Sequence, residues 1–168
     1  MSIRRAAGAC LILNFLVLPA VVRGQSAATP SLTVTAGRAD FLDDGRLVHG
    51  VVGGGVEWLP FRHVAVGPEM LYMVGPGDDR DLFVLGVARV GILPLRSRVA
   101  PFVTVGAGTM THSDTVSGGR PFRSTEAALV LGAGVRVNAS PRVHVAPEVT
   151  LGWEPHLRVS VNVGIRLP

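Results

Sequence analysis

The sequence predicts an all-β fold, an antiparallel up-and-down barrel of eight strands, and three observations predict it. Residues alternate apolar and polar with a period of two between clusters of turn-forming residues, again and again along the chain. Helical signals are nearly absent: no apolar stripe recurs at i, i+3, i+4, and no capping box opens one. The connections alternate in character, tight after even-numbered strands and acidic or Gly-rich after most odd-numbered ones.

The chain opens on a segment set apart from this pattern. Met1-Ser2-Ile3-Arg4-Arg5 is a basic start, residues 6–22 are an apolar run interrupted by Asn14 and Pro19, and small residues surround Gly24. That order reads as a secretory signal peptide over 1–24. Residues 25–30 form a short polar lead, and 31–168 the barrel. All 16 basic residues are Arg, and the whole chain carries a formal charge of +4. Removal of 1–24 takes Arg4, Arg5 and Arg23, which leaves 13 Arg against 12 acids and no basic stripe for nucleic acid. Cys10, the one cysteine, leaves as well, so neither a disulfide framework nor a Cys-based zinc site is available. No cofactor is expected.

The strands are expected at 31–41, 47–58, 62–74, 82–94, 98–111, 123–138, 142–154 and 156–167. Each meets the ~9–11 residues that a tilted membrane-crossing strand needs. The last alternates most cleanly: Leu157, Val159, Val161, Val163, Ile165 and Leu167 on one face, Arg158, Ser160, Asn162, Gly164 and Arg166 on the other. The seventh sets Val143, Val145, Pro147, Val149, Leu151 and Trp153 against His144, Glu148 and Thr150. The sixth sets Leu129, Leu131, Ala133 and Val135 against Glu126, Gly132, Gly134 and Arg136. The first is broken by Arg38 and Asp40, and 82–90 is too uniformly apolar to assign faces. Polar loops are expected at 42–45, 76–81 and 112–121. Residues 55–69 match 134–148 at an offset of 79, so the second and third strands look like a copy of the sixth and seventh. Pro68 and Pro147 occupy the same place in both copies, and each should cost a ladder hydrogen bond or raise a bulge.

Alternation alone does not choose which face is inside. The apolar face is rich in Val, Leu, Ile and Ala and poor in aromatics that could fill a core. Its aromatics, Trp58, Tyr72 and Trp153, lie toward strand ends, as in a membrane-interface girdle. The polar face mixes charges with Gly53, Gly55, Gly132, Gly134, Gly152 and Gly164, which leave room for long side chains. The expected fold is therefore a transmembrane β-barrel with its apolar face toward lipid. Glu57, Glu69, Glu126, Arg136, Glu148, Arg158 and Arg166 then point inward, where opposite charges must pair, so the lumen is expected to be plugged and not an open pore.

Three segments carry a family resemblance: 98–108 (with Pro101, Phe102, Gly106 and Gly108), 131–136 (Leu131-Gly132-Ala133-Gly134-Val135-Arg136) and 145–149 (Val145-Ala146-Pro147-Glu148-Val149). They resemble the small outer-membrane β-barrel domain family, typified by the outer-membrane protein A transmembrane domain and the protein X type. The resemblance implies a monomeric barrel in the bacterial outer membrane, with membrane lipid and the barrel-assembly machinery as partners and no enzymatic activity. The chain departs from the family by ending Arg166-Leu167-Pro168 instead of on an aromatic residue, and no periplasmic domain is expected after the barrel.

Several groups invite a chemical reading. His112-Ser113-Asp114 holds the residue types of a hydrolase triad, but neighbours in sequence cannot form the relay. His144 with Glu148, and His156 with Ser160, share the polar face and would matter for a lipid A deacylase-like enzyme only if they faced lipid. Gly106-Ala107-Gly108 lacks the third glycine and the helix of a dinucleotide site. Asp78, Asp79 and Asp81 read as a solvated loop with at most weak calcium affinity. Asn138-Ala139-Ser140 is a glycosylation sequon in form. The expected role is structural, envelope-integrity or surface contact; a lipid-modifying enzyme and a secreted soluble barrel binding an apolar ligand are the alternatives.

Overall fold

The structure, a computed structural model, describes residues 30–42, 47–116, 119–153 and 155–168. The expected leader, all of the lead but Pro30, and the acidic residues of the first connection lie outside the described residues. The strands are β1 (Ser31–Phe41), β2 (Leu47–Phe61), β3 (Val64–Val74), β4 (Arg80–Gly91), β5 (Val99–Val116), β6 (Arg120–Asn138), β7 (Val143–Gly152) and β8 (His156–Arg166). Each pairs antiparallel with its neighbours in sequence, and β1 pairs with β8, which closes an up-and-down barrel. Closure pairs every strand on both sides within the barrel wall. The connections after β2, β4 and β6 lie at one end with both ends of the barrel chain, here called the base; those after the odd strands lie at the other, the rim.

The expected contrast in loop length does not hold. At the base, 92–98 separate β4 from β5, whereas at the rim only 117–119 separate β5 from β6. The segment expected as a loop over 112–121 is mostly strand. Thr111, Ser113 and Thr115 register with Thr125, Arg123 and Pro121, so β5 and β6 run on as a paired ribbon, with Thr111, Thr115, Phe122 and Thr125 as its β-favouring residues.

The Val and Leu faces point outward: Val34 is 66% exposed, Leu131 63% and Leu151 59%. The lumen, however, is not filled by charge alone. Ala39, Phe41, Val51, Leu71, Met73, Phe83, Leu85, Val87, Met110, Ala128 and Val130 form an apolar cluster toward the rim. Leu59, Ala65, Leu95, Ala100, Phe102 and Ala146 form a second toward the base. The uniformly apolar stretch of β4 thus divides, with Phe83, Leu85 and Val87 inward and Val84 and Val90 outward. An eight-stranded lumen is about wide enough to be filled by side chains, and here apolar ones take much of it.

Pro68 and Pro147 each interrupt the ladder on one side only. The β2–β3 pairing breaks between Gly55↔Glu69 and Trp58↔Val66, while Pro68 keeps register with Gly86 on β4. The β6–β7 pairing breaks between Gly134↔Glu148 and Val137↔Val145, while Pro147 keeps register with Val161 on β8. Each proline lacks an N–H donor, and the rungs are lost toward the preceding strand in both repeat copies.

The lumen glycines make room for rings more than for charged chains, contrary to expectation. A Cβ on Gly164 would stand 2.0 Å from the His144 ring, and one on Gly134 2.5 Å from Phe102. These are cross-strand partners, so the missing Cβ lets the ring lie over the neighbouring backbone. Gly164→Ala is expected to cost about 1–3 kcal/mol through overpacking. Gly50→Ala, where a Cβ meets nothing within 4 Å, should change stability by less than about 0.5 kcal/mol. Urea unfolding of both variants in detergent checks this.

Candidate functional site

Between the two apolar clusters lies a single charged layer. Along β2, Glu57 falls between Val51 and Leu59; along β3, Glu69 falls between Leu71 and Ala65; β4 supplies Arg89, β6 Arg136, β7 Glu148 and β8 Arg158. All six are buried. Arg136 Nη2 donates to both oxygens of Glu57, at 2.6 and 2.5 Å. Arg89 Nη2 donates to Glu69 at 2.7 Å and Glu148 at 3.0 Å, and its Nη1 is 3.9 Å from Glu57. Arg158 Nη1 lies 3.4 Å from Glu69. Asn162 extends the layer, donating to Glu148 at 2.8 Å while accepting from Thr35 at 2.6 Å. Three carboxylates therefore meet three guanidinium groups, which is the balance that buried charge requires.

The internal repeat reappears in this layer. Glu57 and Arg136 are equivalent positions, offset by 79, and bind each other across the lumen. Glu69 and Glu148 are equivalent too, and share Arg89. Arg89 itself was not among the expected lumen charges, because β4 hid its faces. The available signal was that Arg89 is the one charge in 82–94, and a charge within an apolar barrel strand belongs in the lumen.

Two expected members of the cluster lie elsewhere. Glu126 has the inward parity of Ala128 and Val130 but sits on the extended β5–β6 ribbon and is exposed. Arg166, in the last position of β8, is half-buried at the base, and its guanidinium donates to the Pro141 carbonyl. Both strands run past the packed lumen, so inward parity alone does not bury their ends.

At the rim, Asp79 and Asp81 are not the solvated loop residues expected. Both are buried, Asp79 at the end of the 75–79 turn and Asp81 on β4, while Asp78 is exposed. His49 Nε2 on β2 is 2.8 Å from Asp79 and 3.3 Å from Asp81. His112 Nδ1 on β5 is 2.8 Å from Asp81 and 3.5 Å from Asp79.

The outer wall carries the expected aromatics at both ends. Trp58 lies near the base; Tyr72 and Trp153 lie near the rim, all three outward and exposed. Above Tyr72 the wall turns polar. Arg80, Ser113 and Arg123 occupy one cross-strand row and, with Tyr72, Leu82 and Thr111, line a shallow groove. Arg38 and Asp40, which break the alternation of β1, pair with each other at 2.6 Å on the same outer face.

No protein-family model matches the sequence, and no curated protein matches it. Solved structures do. Neisserial surface protein A superposes with a TM-score of 0.70 at 12% identity, covering 86% of this chain and all of that one. The N-terminal β-barrel domain of Pseudomonas aeruginosa OprF gives 0.64 at 10% identity, over 84% and 100%. Ail, the attachment invasion locus protein of Yersinia pestis, gives 0.61 at 13% identity, over 84% and 100%. The fold is the eight-stranded transmembrane β-barrel. At these identities the likeness speaks to fold.

The residue sets weighed for catalysis are placed apart or inward. Ser113 Oγ points outward and donates to the Arg80 carbonyl, and Asp114 accepts from the Thr115 N–H, while His112 faces the lumen. His144, Glu148, His156 and Ser160 all lie inside the barrel. Asn138 of the sequon donates to the Leu95 and Ser97 carbonyls and so fastens the β4–β5 connection. Gly106 and Gly108 lie within β5, with no helix after them.

Removing Arg89 leaves Glu69 and Glu148 facing each other without their shared cation. Arg89→Met is expected to destabilise the barrel by about 3–5 kcal/mol. Arg38→Ala, which breaks an exposed pair, should cost about 1 kcal/mol or less. Denaturant titrations followed by tryptophan fluorescence separate the two outcomes.

Proposed function

We propose that this chain is a small, non-enzymatic integral protein of the bacterial outer membrane, exported by its N-terminal segment, with a structural, envelope-integrity or surface-contact role. One observation carries the reading: the outward face is a continuous apolar wall around a closed barrel. Single exposed apolar residues are ordinary, but a contiguous band of them marks a surface covered by something apolar. Aromatic residues toward both ends of the wall fit the two interfaces of a bilayer. The Arg80 and Arg123 groove sits where anionic lipid headgroups would meet the wall, which supports membrane lipid as a partner. A barrel filled by two apolar clusters and a charged layer supports a plug over a pore.

The soluble ligand-binding barrel needed its Val and Leu faces inward, and they face out. The lipid-modifying enzyme needed a His and a Ser together on the lipid face; His144, His156 and Ser160 are inside.

Cell fractionation followed by gel mobility with and without boiling tests the proposal. The protein should stay in the outer-membrane fraction, shift on heating and begin near residue 25; recovery as a soluble periplasmic monomer overturns it. Val161→Arg, on the exposed wall, should cost about 2–4 kcal/mol and block insertion. Ser160→Ala, its buried neighbour, should insert normally. In planar bilayers the protein should open no channel.

A further inference from the structure

The four side chains at the rim form a set that neither the fold nor the proposed role calls for. His49, Asp79, Asp81 and His112 come from β2, the β3–β4 turn, β4 and β5, and converge from widely separated parts of the sequence. One donor atom from each of His49, Asp79 and Asp81 can be chosen so that all three lie within 4.8 Å of one another. Within this trio His49 Nε2 lies 2.8 Å from Asp79 Oδ2 and 3.3 Å from Asp81 Oδ2, while His112 Nδ1 faces the other oxygens, Asp81 Oδ1 at 2.8 Å and Asp79 Oδ1 at 3.5 Å. A tetrahedral zinc ion with bonds of about 2.0–2.1 Å to nitrogen and oxygen sets its ligand atoms about 3.3–3.4 Å apart. The trio is thus compact enough to close on one such ion, with His112 behind the carboxylates.

Two further observations point into the same place. Asp79 Oδ1 is buried without a hydrogen-bond partner, in a residue only 9% exposed, and it faces the His112 Nδ1 atom at 3.5 Å. Gly75 closes the other side. A Cβ there would stand 2.4 Å from His49 Nε2 and 2.7 Å from Asp79 Oδ2, so only glycine leaves the donors clear. The floor is apolar: the His49 ring lies 4.6 Å from that of Phe41, a member of the rim-side cluster. Low polarity beneath the donors strengthens their attraction for a cation.

We infer that the rim of the barrel binds one divalent transition-metal ion, of which zinc is the representative, through His49, Asp79 and Asp81, with His112 holding Asp81 by its other carboxylate oxygen. One imidazole and two carboxylates, with water in the fourth position, suit zinc, whereas calcium takes six to eight oxygen ligands. The two carboxylates offset the charge of the ion, leaving a neutral centre beside the apolar floor. Bound there, the ion ties β2 to the β3–β4 turn and to β4 at the end of the barrel that carries the odd-numbered connections.

The test uses the full-length barrel folded in detergent, freed of metal with a chelator and titrated with zinc by calorimetry, with metal content measured after gel filtration. One zinc per chain is expected, and cobalt in its place should give the intense visible absorption of a tetrahedral centre. His49→Gln should weaken zinc binding by more than the roughly 10- to 100-fold that loss of an outer-shell partner costs, and His112→Gln by about that much. His63→Gln, at the base, should leave it unchanged. The boiled and unboiled gel bands report whether each variant is folded. His112 is partly exposed, so its variant reads the site even if His49→Gln does not fold. Failure of the wild-type barrel to retain zinc overturns the inference. So does full binding by folded His112→Gln, or displacement of zinc by a hundredfold excess of calcium.

Discussion

Charge neutrality inside the lumen is the constraint on which the rest of the barrel depends. Three carboxylates and three guanidinium groups are held between two apolar clusters, where no member can lose its partners without leaving a buried ion exposed to a poorly polarisable surrounding. Arg89 is the hinge of this arrangement, since two glutamates from opposite sides of the barrel share one of its nitrogens. The layer also sets the registers around it. A one-residue slip of β3 or β7 would turn Glu69 or Glu148 outward and bring an apolar wall residue inside.

The repeat gives the layer its form. Two copies of one hairpin contribute equivalent positions, and at one of those positions the copies differ in sign: glutamate at 57, arginine at 136. Identical residues there would repel across the lumen, and opposite ones bind. At the other position both copies keep glutamate, and β4, which lies outside the repeat, supplies the cation they share. Pro68 and Pro147 impose the same interruption on the ladder, each toward the preceding strand, while the first copy adds a register shift between Trp58 and Phe61.

The two ends of the lumen differ in kind. Toward the base, apolar residues and the fastened β4–β5 connection close the interior. Toward the rim, apolar packing gives way to the imidazole and carboxylate cluster, and above it the outer wall changes from Val and Leu to Arg, Ser and Thr. This gradient from an apolar band to a polar crown is what a barrel crossing a bilayer would present.

Fold class, strand number and the outward direction of the apolar face were legible in the sequence, because period-two alternation places side chains on opposite faces whatever the partner strands are. The strand expectation for 31–41 coincides with β1, and that for 156–167 differs from β8 by one residue. What alternation does not encode is depth along the barrel. Glu126 and Arg166 have inward parity, yet their strands outrun the packed lumen, and so they lie at its ends. Nor does it encode which distant residues meet. Arg89 lay hidden in a run where both faces are apolar, and Asp79 and Asp81 read as loop acids until closure brought β2 and β5 around them. Alternation is a local property of one strand. Depth and lateral neighbours depend on the tilt and closure of all eight, and only the tertiary structure decided them.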